Sequence, residues 1–444
     1  MDKVQAFRSR VMHFPDDQAN SDKPNFQYLE DAVLLVKNGK IESLADAKDM
    51  AQQGFDLQQC LHFPKQLIVA GFIDPHVHAP QMDVMASFGE QLLDWLEKYT
   101  FPTEIKFSDK QHSEQQSARF VNSLLANGTT SAMVFTTSFK HSTDHLFEQA
   151  NAINMRLIAG KVMMDRNAPD ALLDTAEQAK YDCEALIDNW HGTGRLGYAL
   201  TPRFAGTSTR QQLAVAGEIF KRHPDLWLQT HLSENLDEIT WTQSLFPEAK
   251  DYLNTYELFD LVGPKTTFAH CIHLNESEIE RIATIGCNIA FCPSSNLFLG
   301  SGLFNLAKLK SYGIPIALAS DVGGGTSLSQ FRTMADAYKV CQLQNYSLAA
   351  AEAFFLSSLG AAQALSIADH VGNFEIGKEA DFIVINPALS DNVHQRVKLC
   401  NNIEEELFVY MTMGDERLIE RTYIYGEQRY QNNMLTNEPS RSLS

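Results

Sequence analysis

The chain lacks any apolar run approaching about 18 residues, so the sequence predicts no membrane-spanning helix. It also lacks a Cys-x-x-Cys pair. Its seven cysteines are odd in number and scattered, the usage of free thiols in a reducing cytosol rather than of a disulfide framework. Positive charge is in short supply: 36 Lys and Arg stand against 55 Asp and Glu, a net charge of −19. A phosphate backbone is gripped by Lys and Arg, so nucleic acid is not the expected partner, and the anionic surface instead favours solubility. The opening stretch "MDKVQAFRSRVMHFPDD" lacks the charged-then-apolar layout of a secretory signal. There is no internal repeat of fixed period and no low-complexity tract beyond the polar tail "NNMLTNEPSRSLS", which is expected to fray. These absences fit a soluble cytoplasmic enzyme with neither a nucleic-acid nor a membrane partner, but they do not select one.

What is present is an α/β pattern. At 444 residues and 44% hydrophobic content, the chain can fill two ordinary domains or one large barrel with an accessory unit. Between residues 67 and 367, short apolar runs alternate with longer helical stretches. The runs are "LIVAGFID", "TSAMVFTT", "RLIAGKVMM", "LGYALTPR", "LWLQTHL", "TTFAHCI", "NIAFCP" and "IPIALASD". Their near-continuous apolar character suits parallel strands covered on both faces. A representative helix lies in "SDKQHSEQQSARFVNSLLANG", with Ser108 as the expected N-cap and Gly128 just past the end. Eight such alternations predict a TIM-type (β/α)8 barrel over 67–367, with its chemistry at the C-terminal strand ends. The flanks, 1–66 and 368–444, hold hairpin-like pieces such as "AVLLVKNGKIESL", with a turn at Asn38-Gly39, and "GNFEIGKEADFIVIN". Neither can bury a core alone. Both ends are therefore expected to combine into one small β-sandwich-like domain.

Read in order, the strand ends carry metal-binding side chains. The first ends in His76 and His78; alternate strand residues point to one side, so a single ion can bind both imidazoles. The fifth ends at His231, with Glu234 three residues on. The sixth carries His270, and the eighth ends at Asp321, before three glycines that permit a sharp turn. Singly, each has an ordinary explanation. An isolated H-x-H pair is weak evidence, a strand-end Asp before glycine is usually a turn residue, and a lone histidine is usually a hydrogen-bonded core residue. Glu234 could equally be a first-turn carboxylate favoured by the helix dipole. Unrelated accidents would not all fall at one end of a barrel, and the combination selects a metal site. A nitrogen-rich set with one carboxylate and no thiolate suits Zn²⁺, with Fe²⁺ the lesser alternative. Such an ion brings the pKa of water from about 15.7 to about 7. Glu234 is then placed to move the proton, while His270 and Asp321 orient the attacking water. The reaction class is metal-assisted hydrolysis.

The assembled residues resemble the amidohydrolase superfamily, and within it the guanine deaminases. The stretch "HAPQMDVMASFGEQLLDWLEKYTFPTE" (78–104), with "TPRF" (201–204) and "CPSSNLFLGSG" (292–302), carries the narrower likeness, which extends over nearly the whole chain. The resemblance implies His76, His78, His231 and Asp321 as ligands of one Zn²⁺ per chain. It implies Glu234 as the proton shuttle, and His270 as a contact of the substrate or the activated water. Gln81, Arg203 and Phe204 match the guanine-binding positions, beside His231 and His270, and a homodimer is implied as well. Where this chain reads "IVAGFID" the family often has Pro-Gly, a departure that precedes the ligands and leaves them unaffected. The implied reaction adds water to C2 of guanine with Glu234 delivering a proton to N3; ammonia leaves and xanthine remains, a step of purine catabolism and salvage. A guanidinium at Arg203 donates to O6, and the Gln81 amide can donate and accept along the same edge. Adenine reverses that pattern and would leave site groups unpaired.

Rival readings follow from the same residues. Another deaminase or a chlorohydrolase, acting on a different purine, a pterin, a pyrimidine or a triazine, would share the metal residues, and only Gln81, Arg203 and Phe204 separate them. A dinuclear hydrolase would use a carboxylated lysine, for which Lys161 in "LIAGKVMMD" is the candidate. A catalytically dead scaffold is opposed by the presence of every ligand. The other zinc deaminase pattern, H-x-E with a downstream P-C-x-x-C, is matched only by His112-Ser113-Glu114, with no P-C-x-x-C anywhere. Asp83 is expected to be structural or solvated.

Overall fold

The computed structural model describes residues 3–16 and 24–432, and the polar tail expected to fray lies outside them except for its first residue, Asn432. Eight parallel strands, hydrogen-bonded in chain order, form the barrel. They are β1 (Phe72–His78), β2 (Thr129–Phe135), β3 (Arg156–Gly160), β4 (Leu196–Pro202), β5 (Trp227–Leu232), β6 (Thr266–His270), β7 (Asn288–Phe291) and β8 (Ile316–Leu318). Closure comes just beyond β8, where the His78 amide donates to the Val322 carbonyl at 2.8 Å and the Asp321 amide to the His76 carbonyl at 3.0 Å. Every residue of β1, β2 and β4 is buried, which is why these runs read as continuously apolar rather than alternating.

The interior is filled from below. Ile73, Met133, Ile158, Ala199 and Ala317 pack against Ala361, Ala362 and Leu365, which follow from the helix Leu359–Ala364 that plugs the N-terminal end. The C-terminal end is left open and forms a pocket. Among the described residues no helix is long and apolar enough to cross a membrane.

Both chain ends meet in one sheet. Its order is Glu427–Gln431, Ile419–Ile424, Phe382–Ile385, Leu61–Ala70, Val4–His13, Gln27–Lys37 and Lys40–Asp46. The sheet is curled enough that rings from non-adjacent strands touch: Phe7 lies 5.0 Å from Phe382 and 5.1 Å from Tyr423. The expected turn at Asn38-Gly39 joins two of its strands, both residues having positive φ (52° and 80°) as a tight two-residue hairpin requires. Arg195, at the foot of β4, ties this unit to the barrel through Glu379 and Asp381, and Arg156 adds a second bond to Glu379 at 2.7 Å.

Two local expectations are corrected. The run "LIVAGFID" is not one strand: Leu61–Ala70 belongs to the end sheet and β1 begins at Phe72. The break falls at Gly71, where a Cβ would lie 2.2 Å from the Thr130 side chain, so only glycine lets the chain pass from one sheet to the other. The helix Lys110–Ala126 is capped by Asp109 rather than Ser108, because the Asp109 carboxylate accepts the His112 amide while Ser108 closes a preceding 3-10 turn. Gly128 does follow that helix in the left-handed region, at φ 78°.

Candidate active site and metal centre

The strand ends bring the expected residues together at the open end of the barrel. His76 and His78 lie at the end of β1, His231 lies in β5, and His270 is the last residue of β6. Asp321 stands three residues beyond β8. The ligand atoms of His76, His78, His231 and Asp321 all lie within 4.8 Å of one another. Asp321 Oδ1 is 3.0 Å from His76 Nε2 and 3.3 Å from His78 Nε2. Backbone strain accompanies this convergence, since Ser233, His270 and Asp321 all take positive φ (51°, 70° and 47°) where such residues rarely sit. The local fold over-determines them: Asp321 is clamped by the closure bond to His76, and the backbone carbonyl of Asp321 accepts from the Gly325 amide at 2.6 Å. A Cβ on Gly325 would lie 1.8 Å from the Ser320 carbonyl oxygen, so the third glycine is needed for that turn.

The imidazoles are oriented from behind. His231 Nδ1 lies 2.6 Å from the Arg203 carbonyl, a geometry that makes it the protonated nitrogen and turns a bare Nε2 inward. His270 Nδ1 meets Asn296 Oδ1 at 2.8 Å, leaving Nε2 3.3 Å from Glu234 and 3.7 Å from Asp321. Phe135, at the end of β2, packs against His76, His78 and His231 with centroids 4.7–5.0 Å away.

The electrostatics fit a cation. Burial pushes the His78 imidazole down to about 3, and burial with neighbouring His76 takes His231 well below its ordinary value, so both offer neutral nitrogen. Burial acts upward on Asp321, but the surrounding imidazoles, His76 foremost, outweigh it and hold the carboxyl well below the usual range, as an anion. His76 Nε2 is buried and, although Asp321 Oδ1 lies 3.0 Å away, makes no hydrogen bond of normal geometry among the described residues. Neutral imidazoles, one carboxylate and an orphaned ring nitrogen make the donor set a tetrahedral Zn²⁺ prefers. A second group, His76, His270, Cys292 and Asp321, shares two members of the first.

A pocket opens over this cluster. It is lined by His78, Gln81, Leu92, Trp95, Leu96, Arg203, Phe204, His231, Glu234, Glu238, His270, Leu299, Asp321 and Gly324. Every expected site residue except His76 reaches this surface, and His76 lies directly beneath it. Glu234 is buried; its Oε1 accepts from Ser301 Oγ at 3.1 Å, and burial, reinforced by the charge of Asp321, pushes its carboxyl up to about 8. Such a group can both take and give a proton near neutrality.

Several residues of the site were missed. Glu104 accepts from Gln81 Nε2 at 3.0 Å and from Arg203 Nη1 at 2.9 and 2.8 Å. Glu238 accepts the amides of Glu234 and Asn235 and the Tyr252 hydroxyl, and burial pushes it up to about 7. Trp95 lines the pocket with its Nε1 buried and without a hydrogen-bond partner among the described residues. Asp74 anchors the closure of the barrel by accepting from the Ser320 amide and hydroxyl; burial pushes its carboxyl up to about 6. Glu104 and Trp95 both stand in the stretch 78–104, which was quoted for its likeness to the guanine deaminases without a role for either residue.

The remaining candidates fall elsewhere. Lys161 is buried and ion-paired with Asp174, a residue that belongs to neither cluster. Asp83 pairs with Arg119 at the surface. His112-Ser113-Glu114 lies in the first turn and a half of Lys110–Ala126, apart from the pocket lining.

The chain, a barrel of this topology with a nitrogen-rich cluster at its C-terminal end, matches the amidohydrolase family over residues 67–428 and belongs to that family. The Escherichia coli K12 guanine deaminase is 46% identical to it over 425 residues, 96% of each chain. At that identity and coverage the chain falls within the guanine deaminase branch of the family. A solved structure of E. coli guanine deaminase superposes with a TM-score of 0.93, at 45% identity, covering 97% of this chain and 100% of that one. The guanine deaminase of C. acetobutylicum, solved with guanine in its active site, superposes with a TM-score of 0.88 at 29% identity, over 96% of this chain and 100% of that chain.

Proposed function

We propose that this chain hydrolytically deaminates guanine to xanthine and ammonia. The observation that carries the reading is one pocket holding four mutually close metal-ligand atoms, a buried Glu234 poised near neutrality, and the Gln81–Arg203–Phe204 set. His76, His78, His231 and Asp321 would hold one Zn²⁺, whose Lewis acidity lets a water lose a proton near neutral pH.

The protein's own groups do the rest. Arg203 and Gln81 grip the O6/N1 edge of guanine, and Phe204, Leu92, Trp95 and Leu96 cover the ring and exclude water. Water adds at C2. Glu234 takes one of its protons and passes it to N3, then takes the second from the new C2 hydroxyl and hands it to the amino group, which leaves as ammonia as the C2 carbonyl forms. Ser301 holds the other carboxylate oxygen of Glu234 throughout. His270, fixed by Asn296, donates or accepts between Glu234 and Asp321 and steadies charge as C2 becomes tetrahedral.

The same reading assigns the chain to cytoplasmic purine catabolism and salvage as a homodimer. It divides the chain into an end-derived unit built from 1–66 and 368–444 and a barrel over 67–367, whose first residues, Leu67–Ala70, complete a strand of the end sheet. Ammonia release from a panel of guanine, adenine, cytosine, a pterin and a triazine, with metal content measured on the same sample, tests the proposal. Guanine turnover with one zinc per chain is expected; turnover of another ring but not guanine would retain the hydrolase and reject the substrate.

A further inference from the structure

The pocket's polar recognition edge is not freestanding. Gln81 and Arg203 come from different strands, after β1 and β4, and are 2% exposed each. Both converge on Glu104, which is completely buried in the short helix Phe101–Ile105. Glu104 Oε1 accepts from Gln81 Nε2 and Arg203 Nη1, and its Oε2 accepts from Arg203 Nη1 again. Phe101 of the same helix lies under the guanidinium, 5.5 Å from Cζ to the ring centroid. Gln81 is also fixed from its other end, because its Oε1 accepts the Gly323 amide at 3.2 Å.

The consequences follow from hydrogen-bond polarity. A side-chain amide can be turned over to exchange its oxygen and nitrogen. Turned over here, Gln81 would set its oxygen against the Glu104 carboxylate and its NH2 against the Gly323 N–H, leaving like groups facing. The amide therefore has one allowed sense, with one N–H and one lone pair left for a ligand. Glu104 also neutralises a guanidinium buried a few residues from a cation site, which unpaired would be costly and prone to swing away. Neither partner reaches its substrate-reading geometry by its own contacts alone.

Resting on the guanine reading above, we infer that Glu104 is a specificity-positioning residue: it fixes the sense of the Gln81 amide and the aim of Arg203, so that the pocket accepts a purine bearing a 6-oxo group and an N1–H and rejects one bearing a 6-amino group. Glu104 acts through the two residues and does not touch the substrate.

The test compares wild type, E104Q and E104D on guanine and on 2,6-diaminopurine, with metal content and thermal melting recorded for each. E104Q keeps the volume but loses the charge and an acceptor. We expect its KM for guanine to rise by about 10- to 100-fold while kcat changes much less, the signature of a lost charged recognition network rather than lost chemistry. The ratio of kcat/KM for guanine over 2,6-diaminopurine should fall by at least about tenfold. E104D, which keeps the charge one methylene short, should lie between the two. If E104Q folds poorly, Q81A, E104D and their double variant close a cycle; non-additive effects on guanine KM support the inference, and additive effects overturn it. A folded E104Q with wild-type KM and wild-type selectivity would overturn it alone, leaving guanine deamination intact. Absence of guanine turnover by the wild-type chain would overturn both.

Discussion

Glu234→Gln separates chemistry from binding at the pocket. The substituted amide has nearly the same volume, and its oxygen can still accept from Ser301, 3.1 Å from Oε1 in the native site. The proton-carrying function is lost. General acid–base catalysis of this kind contributes about 100- to 10,000-fold, so kcat for ammonia release should fall by that factor, about 3–5.5 kcal/mol of barrier. Glu234 is outside the ligand group, so zinc content should remain at the wild-type level and guanine affinity should move only a few-fold. A second readout comes from linkage. Burial and the charge of Asp321 raise the carboxyl from 4.5 to about 8 in the metal-free protein. The folded state therefore holds this proton more tightly than the unfolded chain. The stability it contributes is fully present below the unfolded value, and it is lost as pH rises through the window up to the folded one. Glutamine has no such loss. The melting temperature of metal-free E234Q relative to metal-free wild type should climb between about pH 4.5 and pH 8, the difference in free energy reaching a few kcal/mol at the top of the window. Steady-state ammonia assays, zinc analysis and thermal melts across pH read all three quantities. Near-normal kcat would reject Glu234 as the shuttle, and a pH-independent melting difference would reject the raised carboxyl.

Asp321→Asn should leave the barrel folded by circular dichroism but reduce bound zinc to a small fraction per chain, since the one anionic member of the cluster is gone. Retention of stoichiometric metal would move the ligand role elsewhere. Glu379→Gln removes the shared partner of Arg156 and Arg195, both mostly buried, and should cost about 3–5 kcal/mol, read by urea unfolding, because two guanidiniums lose a charge partner. The same pair sets a pH trend: burial acts upward on Glu379, but the hydrogen bond and charges of Arg156 and Arg195 prevail and hold the carboxyl below its ordinary value. Its contribution is therefore present above the unfolded value and disappears as pH falls through the folded one, so wild type and E379Q should converge in stability on acidification. Gly71→Ala places a methyl 2.2 Å from Thr130 and should lower the yield of soluble protein sharply, with T130A giving partial rescue. Equal expression of G71A would mean that the junction between the sheets can shift.

How far the sequence reached depends on whether a signal was local. Parallel strands buried on both faces announce themselves as short apolar runs, and side chains at alternate strand positions or just after a strand end are placed by the strand itself. That was sufficient for His76, His78, His231, His270 and Asp321, and for Glu234 three residues beyond its histidine. The curled end sheet was legible only as a need, two flanks each too small to bury a core, whereas the hairpin at Asn38-Gly39 was legible directly because the turn demands positive φ at both residues. What escaped was set by partners distant in the chain. Gly71 looks like an interruption of an apolar run until Thr130, from the next strand, is seen occupying the space of its Cβ. Ser108 and Asp109 are equally good caps on paper, and the choice is made by the turn that precedes them. Glu104 shows the limit most clearly. It sits in an apolar, aromatic-rich stretch, "DWLEKYTFPTE", in which no neighbour marks the carboxylate as buried. Its burial is tolerable only because Gln81, 23 residues before it, and Arg203, 99 residues after it, deliver three hydrogen bonds to its two oxygens. A buried charge of this kind has no local signature, since the groups that stabilise it are themselves site residues. Once the site residues are known, the useful question for such a fold is which buried group of opposite polarity holds each of them, and for Arg203 and Gln81 the answer is the same carboxylate.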